Sequence, residues 1–167
     1  MSDKDAAAEQ PKPDSDRVFL VVVDDSDEMR LALRFAALSA KRAGGRVALM
    51  FVQDSVDFQH WLGVEAIMRE EAREKAEEIL QKLSADVFQW SGSYPVLYIR
   101  EGDRRDELLA LLNEEPSIKI VVLAASTGSG GPGPIISYLV GKGVSQLHVP
   151  VMIVPGSLTE EEVVALT

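Results

Sequence analysis

Val18–Val23 is an unbroken apolar run that stops at Asp24-Asp25-Ser26, and a helical period begins directly behind it. A run without polar alternation reads as a strand covered on both faces, the pattern of a parallel sheet held between helices. Met29, Ala32, Leu33, Ala36, Ala37 and Ala40 then recur at i, i+3, i+4 spacing, which makes one apolar helix face. Asp25 or Ser26 stands where a side chain can cap that helix. Glu28 is placed to reach back to Asp25, and Gly44-Gly45 can end the helix.

Residues 46–52 form the next apolar run and read as a second strand. A loop through His60 and Trp61 leads to the longest helix, residues 64–83. Its expected buried stripe is Val64, Ile67, Met68, Ala72, Ala76, Ile79, Leu80 and Leu83. Glu65 with Arg69, Glu71 with Lys75, and Arg73 with Glu77 are paired at i, i+4 on the outer face, so this charge run reads as a solvated surface. Residues 95–100 are a third strand, 106–113 a short helix ending before Pro116, and 118–125 a fourth strand. A Gly/Pro-rich loop follows, and Ile135, Ile136, Leu139, Val140, Val144 and Leu147 mark a further helix. Residues 150–154 are a fifth strand, and residues 156–167 an acidic tail with a helix starting near Ser157 or Thr159.

Five strands alternating with helices make a repeated βα unit, and right-handed crossovers turn it into an α/β, doubly wound parallel sheet. Ligands of such sheets sit just beyond the carboxyl ends of the strands. Asp24, Asp25 and Ser26 are therefore the first candidates for chemistry.

Composition narrows the classes. A length of 167 residues with 46% apolar content suits one domain, here residues 17–155, behind a polar leader of residues 1–16 that reads as disordered. A formal net charge of −10 argues against nucleic acid or an anionic membrane as partner, since each needs a basic footprint. Cysteine is absent, which excludes disulfides, thiolate catalysis and cysteine-bound zinc. No run reaches membrane-spanning length and no signal-peptide pattern opens the chain, so a cytoplasmic location is expected.

A strand ending in Asp-Asp-Ser resembles the response-regulator receiver domain, whose paired acids bind magnesium beside a phosphorylated aspartate. That reading requires an aspartate at the tip of the third strand. The first acid after a later strand is Asp54, thirty residues beyond Asp24 and at the tip of the second. The third strand ends in Arg100-Glu101-Gly102, and the fifth lacks a Lys-Pro pair. The receiver is the distant alternative.

A second resemblance runs along residues 17–155. Val23-Asp24-Asp25-Ser26, then Ala32-Leu33-Arg34-Phe35-Ala36, then Phe51-Val52 resemble the V-D-x-S, A-L-x-x-A and strand-ending Val of the universal stress protein family. Glu101-Gly102-Asp103 is similar to the family's turn after strand three. The fourth strand, Gly-rich loop, helix and Val149-Pro150-Val151-Met152-Ile153-Val154 are similar to its closing section. The resemblance implies a three-layer, five-stranded parallel sheet of order 3-2-1-4-5, of the adenine-nucleotide alpha-hydrolase-like type. It also implies a non-enzymatic regulatory or stress-response module and a homodimer paired through Val149, Val151, Met152, Ile153 and Val154. An apolar edge strand left open would be an aggregation hazard, which agrees with such pairing. The tail from Gly156 could pack on the partner, and a protein partner is expected without being named by the sequence.

Some members of that family hold ATP with G-x2-G-x9-G-[ST] after strand four, where glycines let backbone amides approach phosphate. Gly128, Gly131 and Gly141 satisfy the glycine spacing, but Lys142 follows in place of Ser/Thr. Gly130, Gly133 and Gly143 fit equally and are followed by Val144. An ungapped alignment on the flanking strands puts Ala124, Thr127 and Ser137 at the glycine positions and Tyr138 at the Ser/Thr position. Pro132 and Pro134 remove donors from the loop. Asp24 and Val52 match positions lining the adenosine pocket, Asp25 could also reach a ribose or metal, and Ser126, Thr127 and Lys142 could meet phosphate. Two readings stay open: a nucleotide-free interaction module with a degenerate motif, and a switch binding ATP or AMP, with magnesium, through Asp24, Val52 and the loop 128–133.

No other constellation rises above packing. His60 beside Trp61 reads as loop packing, His148 as a surface residue, and two unclustered histidines make no zinc site. G-x-S-x-G is absent around every serine, and Trp90 reads as a packing residue.

Overall fold

The computed structural model describes residues 17–54 and 63–167. The expected leader 1–16, His60 and Trp61 lie outside the described residues. The sequence runs become β1 (Val18–Val23), α1 (Glu28–Ala43), β2 (Arg46–Gln53), α2 (Val64–Ser91), β3 (Val96–Glu101), α3 (Arg104–Glu114), β4 (Ile118–Ala125), α4 (Pro134–Val140), a 3-10 turn (Lys142–Gln146), β5 (Val151–Pro155) and α5 (Glu160–Leu166). The strands form one parallel sheet of order β3-β2-β1-β4-β5, as expected.

β1 lies at the centre, and all six of its residues are buried. Its alternating side chains supply two cores. Phe19, Val21 and Val23 pack with α1 and α2 on one face, while Val18, Leu20 and Val22 pack with α3 and α4 on the other. Helices on both faces are what an unalternated apolar strand requires.

The apolar stripe of α1 is buried as its spacing predicts, and four of its six residues are alanines, which let the helix lie close on the sheet. Gly44 ends it with φ 70, a left-handed position that glycine takes without strain. Gly45 N–H then donates to Ala40 O at 2.8 Å. A side chain at Gly45 would collide with the Arg17 carbonyl, which accepts from Arg46 N–H at 2.9 Å and starts the β1–β2 ladder.

α2 departs from expectation in two ways. It runs on to Ser91, because Val87 and Trp90 continue the period of Leu80 and Leu83 onto the α1-side core. At its other end Val64, Ile67 and Met68 are exposed, at 48%, 62% and 40%, and Ala72 is exposed too. Burial starts at Ala76. Glu65–Arg69 at 3.1 Å and Arg73–Glu77 at 3.2 Å form as expected; Glu71 and Lys75 form no ion pair among the described residues.

The helix expected across residues 135–147 is divided. α4 spans seven residues, Gly141 breaks it at φ −97, ψ −109, and a 3-10 turn follows. Gly143 lies so close to the Tyr138 ring that a Cβ would stand 2.7 Å from it. The tail helix α5 is capped at Thr159 by a reciprocal pair. Thr159 Oγ1 accepts from Glu162 N–H at 3.2 Å, and Glu162 accepts from Thr159 N–H at 2.8 Å. Its Val163 is fully buried and Leu158 joins the α1-side core, so the tail packs on its own chain, while Val164 and Leu166 are exposed.

Candidate functional site

α1 and α2 cover one face of the sheet and α3 and α4 the other, so successive crossovers diverge beyond β1 and β4. That leaves a crevice at the strand tips. The chain turns there on Asp24, whose Oδ1 accepts from Ser26 N–H at 2.9 Å and from the Ser26 hydroxyl at 2.5 Å. Ser26 Oγ in turn accepts from Met29 N–H at 3.3 Å. Of the two expected caps, Ser26 therefore serves the first turn of α1. Asp25 is exposed and makes no such bond, and Glu28 does not reach back to it. Asp24 is held as the fixed acid at the tip of β1.

Two clefts flank Asp24. A smaller one, about 180 Å³, lies toward β4 and is walled by Ser26, Glu28, Ala124, Ser126 and the segment Pro132-Gly133-Pro134. A larger one, about 600 Å³, lies toward β2 and is walled by Asp25, Val52, Gln53, Asp54 and the α2 residues Ala72, Lys75, Ala76 and Ile79. Arg104 lines both. Of the sequence candidates, Asp24, Asp25, Ser26, Val52, Ala124 and Ser126 face one cleft or the other. Thr127, Gly128, Gly131, Gly141 and Lys142 line neither.

The loop after β4 explains that division. Ser126 N–H donates to Pro132 O at 3.1 Å, and Ser126 Oγ accepts from Gly128 N–H at 3.2 Å, so the loop closes on itself. This carries Gly128 and Gly131 away from the crevice and brings Pro132 and Pro134 to its wall. Gly141 and Gly143 serve the helix break and the Tyr138 contact. The last glycine of each register thus has a local structural role.

Arg104 went unmarked in the sequence because it belongs to no motif. The signal that could have found it is positional: it opens α3 just past the carboxyl end of β3. Asp103 caps α3 by accepting from the N–H groups of Arg105 at 2.9 Å and Asp106 at 3.2 Å. The Arg105 guanidinium hydrogen-bonded to Asp103, together with those amides, holds its carboxyl below the usual carboxylate range. Gln53 adds a further feature. Its carbonyl accepts from Gly102 N–H at 3.0 Å, while its side-chain Nε2 is buried with no hydrogen-bond partner among the described residues.

Both clefts carry more acid than base: Asp24 and Glu28 face Arg104 in the smaller, and Asp24, Asp25 and Asp54 face Lys75 and Arg104 in the larger. Among the described residues, no three acids or histidines gather as a metal site. His148 bonds Asn113 Oδ1 at 2.7 Å at the opposite, amino end of β4. No helix among the described residues is long and apolar enough to cross a membrane.

β5 is the sheet edge beside β4. Met152 and Ile153 are exposed at 38% and 40%, and Val149 and Val151 half-buried. Val154, counted with them in the sequence, is buried in the α1-side core and offers no side chain to a partner.

A model described as the universal stress protein family matches residues 17–155. No curated protein matches the chain. Among solved structures it is similar to the universal stress protein UspA from Lactobacillus plantarum, with 20% identity and a TM-score of 0.67 over 83% of this chain and 97% of the other. It is similar to the universal stress protein from Archaeoglobus fulgidus in complex with dAMP, with 18% identity, a TM-score of 0.55 and coverage of 82% and 95%. A universal stress protein family protein from Arabidopsis thaliana with AMP bound gives 18%, 0.58, and 87% and 94%.

Proposed function

This chain belongs to the universal stress protein family, and on that footing we propose that it is a non-enzymatic, dimeric regulatory domain whose strand-tip site takes an adenine nucleoside or its monophosphate but not ATP. Family membership sets the receiver alternative aside. The observation that carries the reading is the wall Pro132-Gly133-Pro134 on the smaller cleft, while Gly128, Gly131, Gly141 and Lys142 lie off both clefts. Prolines offer no N–H to a phosphate.

The nucleoside side is better provided. About 600 Å³ falls within the range of small-molecule pockets, roughly 300–1,000 Å³, and Phe51, Val52 and Ile79 give it apolar walls. Gln53 lines the same cleft. Relatives with AMP or dAMP bound support a nucleotide of this size. Electrostatics speak against the triphosphate. Two like charges 4 Å apart repel by about 1 kcal/mol in water and about 4 kcal/mol near a protein surface, and ATP would set several such charges against linings already acidic.

Dimerisation through β5 is supported by Met152 and Ile153, two large exposed apolar side chains on a free sheet edge.

The test is chromatography of ligand released by acid from purified protein, followed by calorimetric titration with adenosine, AMP and ATP with magnesium. Adenosine or AMP should bind, with ATP weaker than AMP. Co-purified ATP, or tighter binding of ATP, would overturn the reading. No nucleotide and no binding would leave the nucleotide-free interaction module in its place.

A further inference from the structure

We infer that Arg104 is the phosphate anchor of this site and that the site holds a single phosphoryl group, which makes a nucleoside monophosphate its ligand class; the inference rests on the nucleoside reading above. Arg104 is the one cation lining the smaller cleft among the described residues, and it lines the larger cleft as well. It stands where a group attached to a nucleoside in the larger cleft would pass into the smaller.

Neighbouring arginines are already engaged. Arg100 is held by Glu114 and Glu107, and Arg105 by Asp103. Arg104 makes no ion pair with any described residue. Several backbone donors near it are engaged too: Arg105 and Asp106 N–H donate to Asp103, Ser126 N–H to Pro132 O, and Gly128 N–H to Ser126 Oγ. Arg104 is therefore the one unpaired cationic side chain of the smaller cleft among the described residues, and its planar fork matches two phosphate oxygens at once.

Stoichiometry follows from the opposing acids. One guanidinium faces Asp24 and Glu28 in the smaller cleft, enough to hold one phosphoryl group. Further phosphates would be set against the carboxylates.

The experiment compares adenosine and AMP on the full chain by calorimetry, for the wild type, Arg104→Gln and Arg104→Lys. The wild type should prefer AMP. Arg104→Gln should reduce the AMP-to-adenosine affinity ratio ten-fold or more, about 1.4 kcal/mol. Arg104→Lys should restore part of that ratio, and added salt should weaken AMP more than adenosine. A smaller change in the ratio, or equal loss of both ligands in Arg104→Gln, overturns the inference while the nucleoside reading stands. A wild type that binds neither ligand overturns that reading and the inference with it.

Discussion

The Arg34 guanidinium on α1 reaches Glu160 on α5 at 2.7 Å while lying over the Trp90 ring of α2, 5.5 Å from its centroid. One side chain thus joins three helices that are far apart in sequence, and its Nε is buried without a hydrogen-bond partner among the described residues.

The two ends of that contact should not be equivalent. Glu160 is 60% exposed, and exposed ion pairs contribute about 0.2–1 kcal/mol. Arg34 adds the face of Trp90, worth about 0.5–1 kcal/mol, and its buried stem. Urea denaturation should give a loss of about 1–2 kcal/mol for Arg34→Ala and under about 1 kcal/mol for Glu160→Ala. Equal losses would show that the ion pair alone matters.

Gly156 sits where β5 leaves the sheet, its N–H donating to Ala125 O at 2.9 Å. A Cβ there would collide with that carbonyl and with the Glu28 side chain. Overpacking of this kind costs about 1–3 kcal/mol, so Gly156→Ala should lower the melting temperature. Because Glu28 and Ala124 wall the smaller cleft, the same variant should weaken AMP. An unchanged melting temperature would refute the close approach.

The Asp103 cap carries a pH signature. Its carboxyl is held below the ordinary value by Arg105 and the α3 amides, and the Glu114 carboxyl is held low by the Arg100 hydrogen bond. A depressed folded pKa contributes stability above the unfolded value, near 3.9 for Asp, and loses it as pH falls through the folded pKa. Stability should therefore fall on acidification below about pH 4–5, with a shallower fall in Asp103→Asn. Carboxyl NMR titration should find Asp103 below the common range, and Arg105→Ala should raise it. A midpoint at the ordinary value in the wild type would contradict the cap geometry.

The proposed dimer can be read by light scattering on a sizing column. Ile153→Lys places a charge on the open β5 edge, in the manner by which edge strands are kept from pairing. It should convert a dimer to a monomer with little change in secondary structure. A dimer that survives the substitution must be built elsewhere.

The strands were legible because β1, and β4 from Ile120 onward, are apolar without alternation, and only a sheet covered on both faces buries such runs. The period of α1 told the same story. Val64, Ile67 and Met68 misled because a helical period states which residues share a face, and not whether anything lies beneath that face. The glycine loop misled for a related reason: spacing records where chain freedom is needed, and Gly143 needs it for Tyr138 rather than for a ligand. Arg104 was invisible because its place depends on the crossover from β3, a tertiary fact that no local pattern contains.

α2 has one consequence for motion. Ala76, Leu80, Leu83 and Val87 fasten its second half to the core, while among the described residues its first three turns rest mainly on their own i, i+4 pairs, each worth only about 0.2–0.5 kcal/mol, and on the Arg69–Glu101 contact at 3.5 Å. Amide hydrogen exchange should accordingly be slowest near Leu80 and quicken stepwise toward Val64. The step falls at Ala72, Lys75 and Ala76, the turns that wall the larger cleft. A ligand seated there would be recorded as slowed exchange in the middle of this helix, several turns from its firmest point.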